Sequence, residues 1–268
     1  MRLNKYIAHH TKYSRREADK LIESGVVSVN HTAIAHHGLR VGATDYVAIK
    51  GVPIRPRKAG DVTVVVYNKP KGVLVTKRDD RGRSTIYHKL PGKFRHFIPI
   101  GRLDYASEGL LLLTDAPEVA DAYMSGHLPR TYNLKIDTPV TESMIAAMRE
   151  GLHLEDATAG GHEKNTIREM DFAPFAAFEL RGTTGKYTKL RVTITEGKNR
   201  ELRRFFAHFG AKILDLKRVA FGDIELNNLP SNKTRFLSRK EYDALHVFLK
   251  SVRKQRNTVP KSSPTDAR

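Results

Sequence analysis

Asp104 sits in the setting best suited to chemistry. It lies in Gly101-Arg-Leu-Asp-Tyr-Ala-Ser-Glu-Gly-Leu-Leu-Leu-Leu-Thr114, a carboxylate in a turn between two apolar strands. Gly101 and Gly109 bracket it, which lets the backbone turn tightly and a ligand approach. An aspartate at a strand end can act as a nucleophile, a general base or a metal ligand. The plainer reading is a turn or cap aspartate, and spacing alone favours that reading. Other chemistries have no residues to carry them. There is no cysteine, so there is no thiol nucleophile, no disulfide scaffold and no Cys-based zinc site. The pairs His9-His10 and His36-His37 lack an acidic neighbour at ligand spacing, which points to a surface role and not to a metal site. Neither a P-loop, nor a dinucleotide glycine fingerprint, nor a Cys/His metal cluster occurs.

Charge narrows the partner. The chain of 268 residues carries 47 Lys plus Arg against 29 Asp plus Glu, a formal net charge of +18. Such an excess is a footprint for a polyanion, nucleic acid first and an anionic membrane second. The excess is uneven: residues 1–60 hold 11 basic and 4 acidic residues, and residues 251–268 hold 5 and 1. No apolar run approaches the roughly 18 residues of a membrane span. The start, MRLNKYIAHH, has no long apolar stretch, so no signal peptide is expected and the location is read as cytoplasmic.

The elements around these residues come next. Leu3, Ile7 and Ala8 have helical spacing. Ser14 and Glu17 form a capping box for a second helix with apolar Ala18, Leu21 and Ile22, stopped at Gly25. Val26–Val29 and Tyr46–Ile49 read as strands. Residues 55–60 read as part of a linker. Further strands are expected at Val62–Tyr67, Phe97–Ile100, Leu110–Leu113, Tyr132–Ile136, Phe178–Leu180 and Leu190–Ile194. Helices are expected from Pro117, from a Thr141 cap to Gly151, over Asn199–Phe209, and from a Ser238/Glu241 capping box through Leu245, Phe248 and Leu249. Residues 155–165 read as a loop. Strands and helices without regular βαβ alternation give an α+β class. The expected boundaries are 1–51 for a small N-terminal α/β module, 52–61 for a linker, 62–250 for the main domain and 251–268 for a basic disordered tail.

Arg15, Arg16 and Lys20 lie opposite the apolar side of the second helix, where they could contact phosphates. The order Leu-x-Lys-Tyr-Ile (with Lys5), Ser-Arg-Arg-Glu-Ala and Ile-x-x-Gly-x-Val-x-Val-Asn resembles the alpha-L RNA-binding domain of ribosomal-protein type, over about the first 50 residues. The Asp104 string resembles the catalytic motif of the pseudouridine synthases, in the RsuA/RluB branch that modifies ribosomal RNA. Three further pieces of that family pattern occur in order: Lys69-Pro-Lys-Gly72, Arg130-Thr-Tyr-Asn-Leu134 and Glu196-Gly-Lys-Asn-Arg-Glu-Leu-Arg-Arg204. Together with the alpha-L-like start, the four matches reach from the first residues to Arg204, about 200 residues.

The resemblance implies a catalytic domain with a mixed, mainly antiparallel sheet flanked by helices. It implies an isomerase that detaches uracil from its ribose, rotates it and reattaches it through a ring carbon. No redox change occurs, so no cofactor is implied. Asp104 is implied as the catalytic residue, attacking the sugar or the base or removing a sugar proton. Tyr132 is implied as the stacking partner of a base flipped from its stack. Arg203 is implied as the cation beside Asp104, the alternative being that Arg203 and Arg204 line an RNA channel. Arg102 reads as a phosphate or target-nucleotide contact. Lys69, Lys198 and Arg200 join Lys5, Arg15, Arg16 and Lys20 as candidate RNA contacts. The partner is ribosomal RNA, with the large subunit favoured over the small. The chain is expected to be a monomer with no membrane role, since no amphipathic helix has a large apolar face. The competing reading is a non-catalytic ribosome-assembly factor on the same fold.

Overall fold

The computed structural model describes residues 1–11, 13–42, 44–55, 62–162 and 166–258. The chain divides into two compact units. One comprises Met1–Thr63 with Gly92–Ile98 and Asp115–Pro117, and the other the remaining residues.

In the first unit, helices α1 (Leu3–His10) and α2 (Arg15–Glu23) carry the apolar spacing read from the sequence. Leu3, Ile7, Ala18 and Ile22 are fully buried, with Val27, Val41 and Val47 against them. Ser14 Oγ accepts from the Glu17 amide, and Glu17 Oε2 accepts from the Ser14 amide, closing the capping box. The strands β1 (Val27–Val29), β2 (Thr32–Ile34), β3 (Val47–Ile49) and β4 (Val52–Pro53) form an antiparallel sheet of order β2-β1-β3-β4. Burying the apolar stripe leaves Lys5, Arg15, Arg16 and Lys20 exposed. Val52 and Pro53, expected to open the linker, instead pair with β3. Ile54 and Arg55 follow without regular structure, and residues 56–61 of the expected linker lie outside the described residues.

The second unit is built on a mixed sheet. Its elements in chain order are β5 (Val64–Lys69), α3 (Ile86–Lys89), β6 (Ile98–Ile100), β7 (Glu108–Thr114), α4 (Pro117–Ser125), β8 (Arg130–Ile136), α5 (Glu142–Glu150), β9 (Leu152–Leu154), β10 (Met170–Phe172), β11 (Ala177–Thr184), β12 (Tyr187–Ile194), α6 (Glu201–His208), β13 (Ile213–Phe221), β14 (Ile224–Glu225), β15 (Thr234–Phe236) and α7 (Arg239–Thr258). The main path of the sheet runs β11-β12-β8-β13-β7-β5-β15. Every pair along it is antiparallel except β13 with β7. The sheet is thus mixed and mainly antiparallel, with helices of the same unit beside it. All of β5 is buried, and Leu110–Leu113 of β7 have no exposed surface. A run buried on both faces is the signature of a strand covered from both sides.

Gly109 shows why β7 needs a glycine where it leaves the Asp104 turn. Its φ is +104°, and a Cβ there would stand 2.2 Å from the Arg218 carbonyl oxygen. The parallel β7–β13 contact places Gly109 opposite Arg218, leaving no space for a side chain. The helix α7 is longer than expected. It continues to Thr258, eight residues into the stretch read as a disordered tail. The apolar stripe fades after Leu249, but Lys, Arg and Gln are good helix formers and extend a helix already nucleated. Residues 259–268 lie outside the described residues.

Candidate functional site

The turn that carries Asp104 is supported from below by a buried lysine. Lys69, the last residue of β5, has no exposed surface. Its Nζ donates to the carbonyls of Pro70 (3.0 Å), Asp104 (3.1 Å) and Ser107 (2.7 Å). Three donors thus meet three acceptors, two of them on the turn itself. The Ser107 amide closes it by donating to the Asp104 carbonyl at 3.1 Å. Gly72 of the Lys-Pro-Lys-Gly loop donates its amide to the Tyr105 carbonyl at 2.8 Å. Burial lowers Lys69 to about 8, opposed by the charges of Asp104 and Glu108. Lys69 is therefore not the RNA contact expected of it. Having no solvent-facing surface, it acts on the turn instead.

The Asp104 carboxylate is 35% exposed and meets two arginines at the start of α6. Arg200 Nη1 is 3.4 Å and Arg203 Nε 3.5 Å from the same oxygen, Oδ2. These are ion-pair separations, longer than the roughly 2.7–2.9 Å of a charge-assisted hydrogen bond. The helix register explains the pair. Positions three apart share a helix face, and Arg200 is the N-cap and Arg203 lies one turn in. Arg203 is held by donating Nη1 to the Ile213 carbonyl and Nη2 to Ser107 Oγ, each at 3.2 Å. Burial lowers it from its ordinary value. Asp104 opposes that shift and Arg200 adds to it. Arg200 donates Nε to the Gly160 carbonyl at 2.6 Å.

Arg204 has no exposed surface. It donates Nε to the Asn199 carbonyl and Nη1 to the Ala157 carbonyl, so it braces the segment before the helix and lines no channel. Beside it Glu201 is 5% exposed, and burial raises it to about 7, against the amide of Lys198 and the charges of Lys198 and Arg130.

The structure thus joins Asp104, Arg203 and Arg200. Tyr132 lies elsewhere in the sheet. It is on β8, 8% exposed, directly across from Arg218 of β13, which in turn faces Gly109 of β7. Among the described residues no hydrogen bond or ring contact links Tyr132 to Asp104. Arg102 is exposed beside the turn. Lys198 pairs with Glu196 at 2.8 Å and donates to the Asp171 carbonyl. His37 lies between Asp19 (3.4 Å) and Glu23 (3.1 Å), and no group of three His, Cys, Asp or Glu among the described residues could hold a metal ion. No helix among them is long and apolar enough to cross a membrane.

Sequence reasoning missed Ser107, which is 1% exposed and touches Lys69, Arg203 and the Asp104 carbonyl. A serine three residues after an aspartate was visible as a turn signal. It also missed that Arg200 approaches Asp104.

The chain as a whole is similar to known proteins. Residues 63–208 match the family model described as RNA pseudouridylate synthase. A Helicobacter pylori protein named as an uncharacterized RNA pseudouridine synthase is 50% identical over 249 residues, covering 93% of this chain and 95% of its own. The Bacillus subtilis protein named ribosomal large subunit pseudouridine synthase B is 31% identical, over 92% of this chain and 96% of its own. Among solved structures, a pseudouridylate synthase superposes with a TM-score of 0.61 at 26% identity, covering 91% of this chain and 99% of the other. With more than half its length matched, the chain belongs to the RNA pseudouridylate synthase family, enzymes that isomerise uridine in RNA to pseudouridine.

Proposed function

We propose that the enzyme modifies a uridine of ribosomal RNA, in the large subunit, and that Asp104 is its catalytic carboxylate. The observation that carries the reading is the carboxylate itself. It is part-exposed on a turn fixed by Lys69 and Ser107, with the cations of Arg200 and Arg203 on one oxygen. A carboxylate held in this way can serve as a nucleophile or base at the sugar or ring. The large-subunit assignment is supported by the Bacillus subtilis relative's name.

The reaction breaks the bond from the ribose to N1 of uracil and forms one to C5. The hydrogen on C5 leaves to solvent and N1 gains a proton. No electron acceptor is needed, in keeping with a chain expected to use no cofactor. The target base must leave its stack, at a cost of a few kcal/mol. Tyr132 is the proposed stacking partner. In the sheet register Tyr132, Arg218 and Gly109 stand in one row across β8, β13 and β7, so Tyr132 shares that row with the end of the catalytic turn, which supports the reading. Arg102, exposed beside the turn, and Lys198 are proposed contacts to the RNA backbone. In the first unit, Lys5, Arg15, Arg16 and Lys20 present a basic surface over a buried apolar stripe, which supports an alpha-L-type grip on phosphates. The unit is proposed to be the RNA-binding domain, the second unit the catalytic domain, and the enzyme a cytoplasmic monomer.

The test uses protein-free large- and small-subunit rRNA, each unmodified and tritiated at C5 of uracil. Tritium release from the large-subunit RNA, with one new pseudouridine mapped by sequencing, is the expected result. Release from the small-subunit RNA alone would overturn the subunit assignment. Binding to both without release would overturn the rRNA substrate.

A further inference from the structure

Asp104 offers its two oxygens unequally. Both guanidinium contacts fall on Oδ2, and among the described residues no hydrogen bond or ion pair reaches Oδ1. The two arginines are anchored on different parts of the fold. Arg203 is held through the Ile213 carbonyl and Ser107 Oγ. Arg200 is held through the Gly160 carbonyl, in the described part of the 155–162 loop. That loop is seated on α6. A Cβ on Gly160, whose φ is +70°, would stand 2.3 Å from the Arg203 carbonyl oxygen, and Arg204 donates to the Ala157 carbonyl. A guanidinium is a rigid planar fork. With Nε fixed on Gly160, the direction from which Nη1 meets Asp104 is fixed as well. The Arg200 backbone is left-handed, φ 52° and ψ 30°, a conformation that non-glycine residues rarely adopt. That conformation is what joins the Glu196–Asn199 segment to α6 and places Arg200 between the loop and the carboxylate.

We propose that Arg200 is a positioning residue for the isomerisation. With Arg203 it anchors Oδ2 and so presents Oδ1 to the uridine, and through Gly160 it makes that aim depend on the seating of the 155–162 loop. The inference rests on Asp104 being the catalytic carboxylate. It replaces the reading of Arg200 as a phosphate contact, and the two roles demand opposite kinetics.

The experiment measures tritium release by the full chain on C5-tritiated large-subunit rRNA for the wild type, Arg200→Gln, Arg200→Lys, Gly160→Ala and Asp104→Asn. Arg200→Gln is expected to lower kcat about 100-fold, the scale of a misplaced reacting group. KM for the RNA and its salt dependence are expected to stay within about twofold of wild type. Arg200→Lys keeps the charge but cannot engage Gly160 and Asp104 together, so it restores less than about a tenth of the lost rate. Gly160→Ala is expected to lower kcat with KM unmoved. A raised KM at wild-type kcat, with the salt slope reduced by about 1, would make Arg200 a phosphate contact and overturn the proposal. Full rescue by lysine would overturn it too. If Arg200→Gln loses its far-ultraviolet circular dichroism, the lysine and Gly160 variants carry the same test. Asp104→Asn separates the two levels. If it still releases tritium, the reading of the carboxylate fails. If it is inactive while Arg200→Gln turns over like wild type, only the Arg200 inference fails.

Discussion

Lys69→Met removes the ammonium beneath the Asp104 turn while roughly keeping its volume. Three hydrogen bonds from a charged donor, to Pro70, Asp104 and Ser107, are lost. At about 1.5–3 kcal/mol each they total about 4–9 kcal/mol. Methionine is also relieved of the burial that lowers Lys69 from 10.5 to about 8, which at about 1.4 kcal/mol per pK unit is about 3 kcal/mol. The net expectation is a loss of about 1–6 kcal/mol, concentrated at the turn. The pH dependence separates this from a generic core defect. The unfolded chain, with lysine near 10.5, binds more protons than the folded one between about 8 and 10.5. Wild-type stability therefore carries a contribution that rises with pH across that window, and the methionine variant lacks it. The gap between them should widen by up to about 3 kcal/mol from about pH 7 to about pH 10.5. Urea unfolding at both ends of the window measures it, and tritium release reports the turn. A gap that is constant or narrows with pH would refute Lys69 as a buried cation. Wild-type turnover would refute its role as the support of Asp104.

Gly109→Ala should lower stability by at least about 3 kcal/mol, because its Cβ would meet the Arg218 carbonyl at 2.2 Å and φ is +104°. An unchanged thermal midpoint would contradict the close approach of β7 and β13. Glu201 has a folded value of about 7 against 4.5 unfolded, so its burial contributes a loss of stability as pH rises through that interval. Glu201→Gln should escape this and gain on wild type by up to about 3 kcal/mol from about pH 4.5 to about pH 8, where a pH-independent difference in urea unfolding would be the contrary result. Replacing Arg15, Arg16 and Lys20 together by glutamine should weaken RNA binding and lower the slope of log K against log salt by about 2–3, with kcat at saturating RNA unchanged. A lower kcat at unchanged affinity would contradict a backbone grip.

What the sequence made legible was local. Ser14 with Glu17, Thr141 before α5 and Ser238 with Glu241 are short-range signals, and each forms the cap its spacing implies. Leu110–Leu113 is an apolar run too continuous for an exposed strand, and it is fully buried. The family motifs placed Asp104 and Arg203 in one string each, and the two side chains meet. Long-range partners were hidden. Lysine is almost never fully buried without a partner, so Lys69 read as a surface cation. Its partners lie 35 and 38 residues away, on the far side of a turn. Arg200 and Arg204 looked alike in a basic run. One turns to Asp104 and the other to Ala157 only because the 155–162 loop packs against α6. The end of α7 was misread because the apolar stripe stops before the helix does.

The most direct measurement is tritium release from C5-tritiated large-subunit rRNA by Asp104→Asn beside wild type, with RNA affinity measured in parallel. Asparagine keeps the shape and removes the charge and basicity. The account predicts no detectable release with affinity within about threefold of wild type. Release near the wild-type rate by a folded, RNA-bound variant would contradict it.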